Sequence, residues 1–196
     1  MRDENQDTPP AVPEAVVAVQ GISDRKALKR HFQRLFEQGQ PRYSDHYDAK
    51  AAPWNLLVEQ VPDFVDDWGA AELESVRRGR TRLALVLTFS MPIGTDPGVN
   101  EAAVLAVVSK LFARHQRVWV AGEDEGPFVK MLVEFRDEDG RAVSSGPADL
   151  RRYRDTYAGE LVARGVAAQA TTRGSRGLGF GDTRKAYKKQ ERLAAG

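Results

Sequence analysis

The sequence predicts an α+β fold, a mainly antiparallel sheet with helices packed on one face, and three observations carry that reading. Short β-branched runs alternate with longer segments of helical periodicity, in the order strand, helix, strand, helix, strand, strand, helix. The two adjacent strands are separated only by EDEGP, a glycine-containing link of hairpin length. No segment repeats along the chain, which sets aside solenoid and propeller architectures.

In order, AVVAVQG (15–21) is the first strand. Ser23 is placed to cap a helix that ends at Gly39 and carries Leu28, His31, Phe32, Leu35 and Phe36 on one side. Lys26, Lys29, Arg30, Gln33 and Glu37 fall largely on its other side, with Arg34 at the border one turn from His31. Residues 40–66 hold Pro41, Pro53 and Pro62 and read as an irregular excursion with a short helix near Trp54–Val58. A charged surface helix follows over Asp67–Arg80, then the strand RLALVLTFS (82–90), buried on at least one face. The loop MPIGTDPG leads into a helix over Val99–Arg114 whose core face is Val104, Val107, Val108 and Leu111. RVWVAG (117–122) and Phe128–Phe135 form the hairpin, and Asp139-Gly140 turns the chain towards a short partner. The last helix opens near Ala148–Asp149 and stops at Gly165, with Leu150, Tyr153, Tyr157 and Leu161 as its stripe.

Composition bounds the function. With 196 residues, 41% of them apolar, the chain can bury one substantial core. The domain reading is an acidic leader over 1–14, expected to be disordered, a folded domain over 15–172 and a basic tail over 173–196. Lacking cysteine, the protein has no disulfides, no thiolate zinc ligands and no thiol nucleophile. No apolar run approaches the roughly 18 residues of a membrane span and no signal-peptide pattern is visible, so membrane insertion is not expected and a cytoplasmic location is. The net charge of +1 conceals an asymmetry: Arg173–Arg192 holds seven Lys/Arg against two Asp/Glu, a local +5 that leaves −4 elsewhere. A basic end of this kind reads either as an anion-binding tail, nucleic acid included, or as a solvated one.

The strand from Phe128 raises the sharpest question. Alternation puts Val129, Met131, Val133 and Phe135 on a core face, and Phe128, Lys130, Leu132, Glu134 and Arg136 on the other. A buried, unpaired ammonium costs several kcal/mol, so Lys130 must reach solvent, pair with Glu134 or meet an external anion.

Four segments, taken in order, resemble the plasmid mobilisation relaxases of the HUH endonuclease superfamily, relatives of the T-DNA border nicking endonucleases. They are LALVLTFSMPIGTDPG, EAAVLAVVSKLFARHQRVWVAGEDE, FVKMLVEFRDEDGR and ADLRRYRDTYAGELVARGVAAQATTRGSRG, within a likeness that covers about Ala15 to Arg176. The resemblance implies an HUH relaxase-like fold. It also implies an ancestral chemistry in which a tyrosine attacks a DNA phosphodiester polarised by a metal on three histidines. Carried over, the two alternating histidines fall on Phe128 and Lys130, the upstream histidine on Ala121 and the tyrosine on Arg34, with His31 matching a histidine that precedes it. None of these residues can perform the role it replaces, since a lysine ammonium does not ligate a hard cation.

The expectation is therefore a degenerate relaxase, without catalytic residues, metal or cofactor, that binds single-stranded or hairpin DNA in conjugative transfer or mobilisation. Its candidate DNA contacts are Lys26, Lys29, Arg30, Arg34, Lys130, Arg173, Arg176, Arg184, Lys185, Lys188 and Lys189, and its candidate partners include relaxosome or transfer-machinery proteins. Two alternatives stand beside it. One is a protein-interaction module in which Phe128 marks a docking surface. The other is an unorthodox nicking enzyme using Tyr43 or Tyr47, loop tyrosines flanking His46, with a metal on Glu123, Asp124 and Glu125. His115 completes the three histidines, none of which forms an H-x-H pair.

Overall fold

A computed structural model describes residues 13–44, 53–75, 82–124 and 126–170. Most of the acidic leader, the basic tail with Arg173, Arg176, Arg184, Lys185, Lys188 and Lys189, and also His46, Tyr47 and Glu125 lie outside the described residues. The strands are β1 (Glu14–Ile22), β2 (Arg42–Ser44), β3 (Trp54–Asn55), β4 (Ala84–Ser90), β5 (Arg117–Glu123), β6 (Pro127–Glu134) and β7 (Gln169–Ala170). The helices are α1 (Arg25–Gln38), α2 (Val61–Ser75), α3 (Pro97–Leu111) and α4 (Pro147–Val162). The strands form a sheet in the order β3-β2-β5-β6-β4-β1-β7, antiparallel throughout except for the short β1–β7 edge pair. The α+β class and the mainly antiparallel sheet are as the sequence predicts.

The helices, however, cover both faces rather than one. Val129, Met131 and Val133 of β6 pack with Leu85, Leu87 and Phe89 of β4 under Val104, Val107, Tyr153 and Tyr157 of α3 and α4. Leu132 of β6 and Val86 of β4, on the opposite face, pack with Leu28, Phe32 and Leu35 of α1 and with Val65 and Trp68 of α2. This explains why β4 is almost continuously apolar: as a central strand it is buried from both sides. The even face of β6 carries Lys130 and Glu134 on either side of Leu132, which makes it resemble a solvent face in sequence.

Local chemistry sets the helix starts. Asp24, not Ser23, caps α1, its Oδ1 accepting from Ala27 N at 2.7 Å. Asp96 caps α3, accepting from Gly98 N and Val99 N at 2.7 and 3.0 Å, with Pro97 in the first turn. α2 begins six residues before its predicted start because Pro62 sits in its first turn, where a missing N–H costs nothing. The region around Pro41 and Pro53 contains β2 and β3 rather than a helix at Trp54, and a 3₁₀ turn follows at Val58–Gln60. The short partner expected after Asp139-Gly140 is a single bridge between Arg136 and Ala142.

Candidate functional site

Strand register assembles a floor on the α1 face of the sheet. One rung runs Val16, Ser90, Phe128 and Gly122 across β1, β4, β6 and β5; the next runs Ala18, Thr88, Lys130 and Val120. Rungs on one face are about 7 Å apart, two residues at a rise of 3.3–3.4 Å each. α1 crosses above this floor and lowers His31, Arg34 and Gln38 towards it; these residues are spaced i, i+3, i+7 and so share one helix face.

Two connected hollows result. The first lies between α1 and the sheet and is lined by His31, Arg34, Lys130, Thr88 and Gln20. The second is a cavity of 620 Å³ at the strand ends, bounded by Phe128, Ser90, Met91, Gln38 and the carboxylate-bearing Glu14 and Asp124. Thr88 and Lys130 belong to both. The Lys130 ammonium donates to Gln38 Oε1 at 3.1 Å, so its partner is α1 and not Glu134.

The electrostatics of the first hollow are one-sided. Burial first, and then the Arg34 guanidinium, holds the Lys130 ammonium below its ordinary range. Burial likewise lowers the His31 imidazole, helped by Arg34, Lys130 and Arg30. Among the described residues, each charge acting on these two groups is positive and no carboxylate acts on either. A site with uncompensated positive charge is poised for an anion. Lys26, Lys29 and Arg30 are exposed on α1, and Arg30 is near enough to act on His31.

The residues do not fit the metal that the resemblance implies. Among the described residues no group of three His, Cys, Asp or Glu side chains comes together, and the cations around His31 oppose a second one. The placement of the upstream histidine at Ala121 is also corrected. Ala121 pairs with Val129 and packs against the α3/α4 core, on the far side of the sheet from Lys130. The site-face positions of β5 are Val120 and Gly122, one residue to either side, and a single-residue slip reverses a strand face. Gly122 has its own reason to be small: a Cβ there would lie 2.7 Å from Phe128 Cζ, so the phenyl ring is seated on the glycine.

Tyr43 is not a loop residue. It lies on β2, 5% exposed, with its ring 4.5 Å from Trp54 and 4.8 Å from Phe64, and it lines neither hollow. Glu123 and Asp124 end β5 and begin its turn, and Asp124 reaches the second hollow. His115 is buried at the turn into β5, close enough to Asp137 to act on its charge, and lines neither hollow.

Sequence reasoning missed Gln38, Thr88 and Ser90 as lining residues. Alternation along RLALVLTFS does put Thr88 and Ser90 on one face, but only the register shows that it is the face of Lys130. It also missed that Gly126 ties the cavity rim together. With φ 131°, Gly126 lies so close to the 91–93 loop that a Cβ would fall 2.3 Å from Met91 O, and Met91 N donates to Pro127 O at 3.1 Å.

No family model and no curated protein matches this sequence. A solved structure described as "Molecular Basis of Vancomycin Resistance Transfer in Staphylococcus aureus" is similar in fold, with a TM-score of 0.53 at 12% identity. The match covers 81% of this chain and 99% of that one. Similarity at this identity is one of fold alone. No helix among the described residues is long and apolar enough to cross a membrane.

Proposed function

We propose that this protein is a relaxase-like DNA-binding protein of a DNA-transfer or mobilisation system, in which fixed cations occupy the cleft that relatives use for a metal and a nucleophilic tyrosine. The observation that carries the reading is the convergence of Arg34 and Lys130, from α1 and β6, on one hollow with His31, which no carboxylate among the described residues lines. These positions are 96 residues apart in sequence and were singled out by the resemblance independently of any geometry. The fold similarity to a protein of vancomycin resistance transfer supports the same reading at the level of architecture.

The cleft recognises phosphate as charge. Lys130 supplies a point charge, while the Arg34 guanidinium can grip two phosphate oxygens at once. Arg30 adds a further positive charge beside His31, and Lys26 and Lys29 are exposed cations farther round the same helix. Contacts of this kind give affinity that falls steeply with salt and carries little sequence information. The DNA is held without being cut: the groups at the former ligand positions cannot bind a catalytic cation, and Tyr43 is packed in the core. A gel-shift titration with single-stranded, hairpin and duplex DNA at low salt tests this, and absence of any shift would refute it.

A docking role for Phe128 is the less favoured reading, because its ring is seated on Gly122 inside a recess rather than displayed on a convex surface. Nicking through Tyr47 is tested by incubating supercoiled plasmid with Mg²⁺ or Mn²⁺; a covalent adduct abolished by Tyr47→Phe would replace the present reading.

A further inference from the structure

We propose that the 620 Å³ cavity beside Lys130 is a subsite for one unpaired, amine-bearing nucleobase, whose phosphate lies in the adjoining hollow on Arg34 and Lys130. This rests on the DNA-binding reading above and adds a ligand class and a specificity to it.

The inference begins from the separation of charge along the cleft. One end carries His31, Arg34 and Lys130, and the other has the exposed Asp124 at its rim. A ligand that is anionic at both ends would be repelled by the acidic rim. A nucleotide inserted base-first matches both ends, since its phosphate meets the cations and an exocyclic amine meets the Asp124 carboxylate, which can only accept. The offset of about 7 Å between the Phe128 and Lys130 rungs is the span a sugar bridges between a base and its phosphate.

The walls suit a base as well. The Phe128 ring meets Gly122 through its Cζ end and lines the cavity, an aromatic group of the kind on which single-stranded bases stack. Met91 and Val16 add apolar surface, while the Ser90 and Thr88 hydroxyls and the Gln38 amide supply hydrogen-bonding groups that can orient a base edge. The volume lies within the range of pockets that take small ligands. Inside a duplex the base edges are paired and the faces stacked, so only an unpaired nucleotide can enter.

The test uses the full chain and fluorescence anisotropy with labelled oligo(dC), oligo(dU) and duplex, because the two bases have the same shape while cytosine presents an exocyclic amine at position 4 where uracil presents a carbonyl, with N3 changing from acceptor to N–H donor. Wild-type protein should bind oligo(dC) several-fold more tightly than oligo(dU). Phe128→Leu should weaken oligo(dC) binding by roughly fivefold or more, leaving duplex binding and the salt slope unchanged. Asp124→Asn, on an exposed turn, should erase the preference for dC, and it decides the matter if Phe128→Leu fails to fold.

Equal affinity for dC and dU, unaffected by either variant, would overturn the subsite and leave the DNA-binding reading intact. If no DNA binds, that reading fails, and saturable binding of free dCMP then decides the subsite: dCMP binding lost in the variants keeps it as a mononucleotide site, and its absence overturns it. If the strand binds, competition by dCMP shows that a free nucleotide suffices, and a dC preference without competition assigns the site to the strand.

Discussion

His31 should make DNA binding tighten as pH falls while the free protein becomes less stable. Its imidazole is held below the ordinary value of 6.5 by burial first and then by Arg34, Lys130 and Arg30. The other side chains lining the hollow, from β1 and β4, are uncharged. Because the unfolded chain then binds more protons than the folded one, the stability associated with neutral His31 is complete above pH 6.5 and declines as pH falls through 6.5 towards the folded value. A phosphate reverses the preference by screening Arg34 and Lys130, so the bound state favours the imidazolium. At neutral pH these two cations contribute a salt exponent of about 1.4 on a single strand, at about 0.7 per contact. A fourfold rise in salt then costs about sevenfold in affinity. With His31 charged, the exponent becomes about 2.1 and the cost about 18-fold, while affinity at 0.1 M salt rises about fivefold. Anisotropy titrations at about pH 7.5 and 5.5, in wild type and His31→Gln, isolate this contribution within the range where histidine titrates. Urea midpoints at the same two pH values should fall further in the wild type. An identical pH response in the two proteins, or a wild-type affinity that weakens on acidification, would refute the reasoning.

Further outcomes follow from the same geometry. Lys130→Met removes an ammonium disfavoured by burial and by Arg34 at the loss of one hydrogen bond to Gln38, so its melting temperature should equal or exceed that of the wild type. Its affinity for single-stranded DNA at 0.1 M salt should fall about fivefold, and a variant both less stable and equally tight in binding would count against a phosphate role. Gly126→Ala combines a φ of 131° with a Cβ 2.3 Å from Met91 O, and thermal unfolding should register a loss of about 1–3 kcal/mol. The displaced 91–93 loop should weaken oligo(dC) more than duplex binding; a neutral effect on both would mean that the rim is not constrained as described.

The sequence made legible the elements whose periodicity is long. β1, α1, β4, α3, β5, β6 and α4 all lie within a few residues of their predicted bounds, since each is long enough to carry either a period or, in β4, a continuous apolar run. The edge strands β3 and β7, and β2 next to β3, are two or three residues long and present no period at all. The second helical layer was hidden for another reason. Lys130 and Glu134 give β6 the pattern of a half-solvated strand, and only the register shows Leu132 in the same cluster as Val86 and Phe32. At the site, alternation correctly put Phe128 and Lys130 on one face, and the helical period put Arg34 within a turn of His31. Ala121 failed because β5 was aligned by motif rather than by pairing, and the pairing with Val129 turns it to the opposite core. Gln38 and Ser90 carry no signal of their own, because their role arises only where α1 crosses the strand ends.

The central claim is that the Arg34–Lys130 hollow holds DNA phosphate. Its most direct test is the affinity of the full chain for a labelled single strand across a salt series, in wild type and in Arg34→Glu/Lys130→Glu. The account predicts measurable wild-type binding at low salt, a log–log slope at least about 1.4 steeper than that of the variant, and a loss of more than about tenfold on charge reversal. Wild-type and variant proteins with the same affinity and the same slope would contradict it.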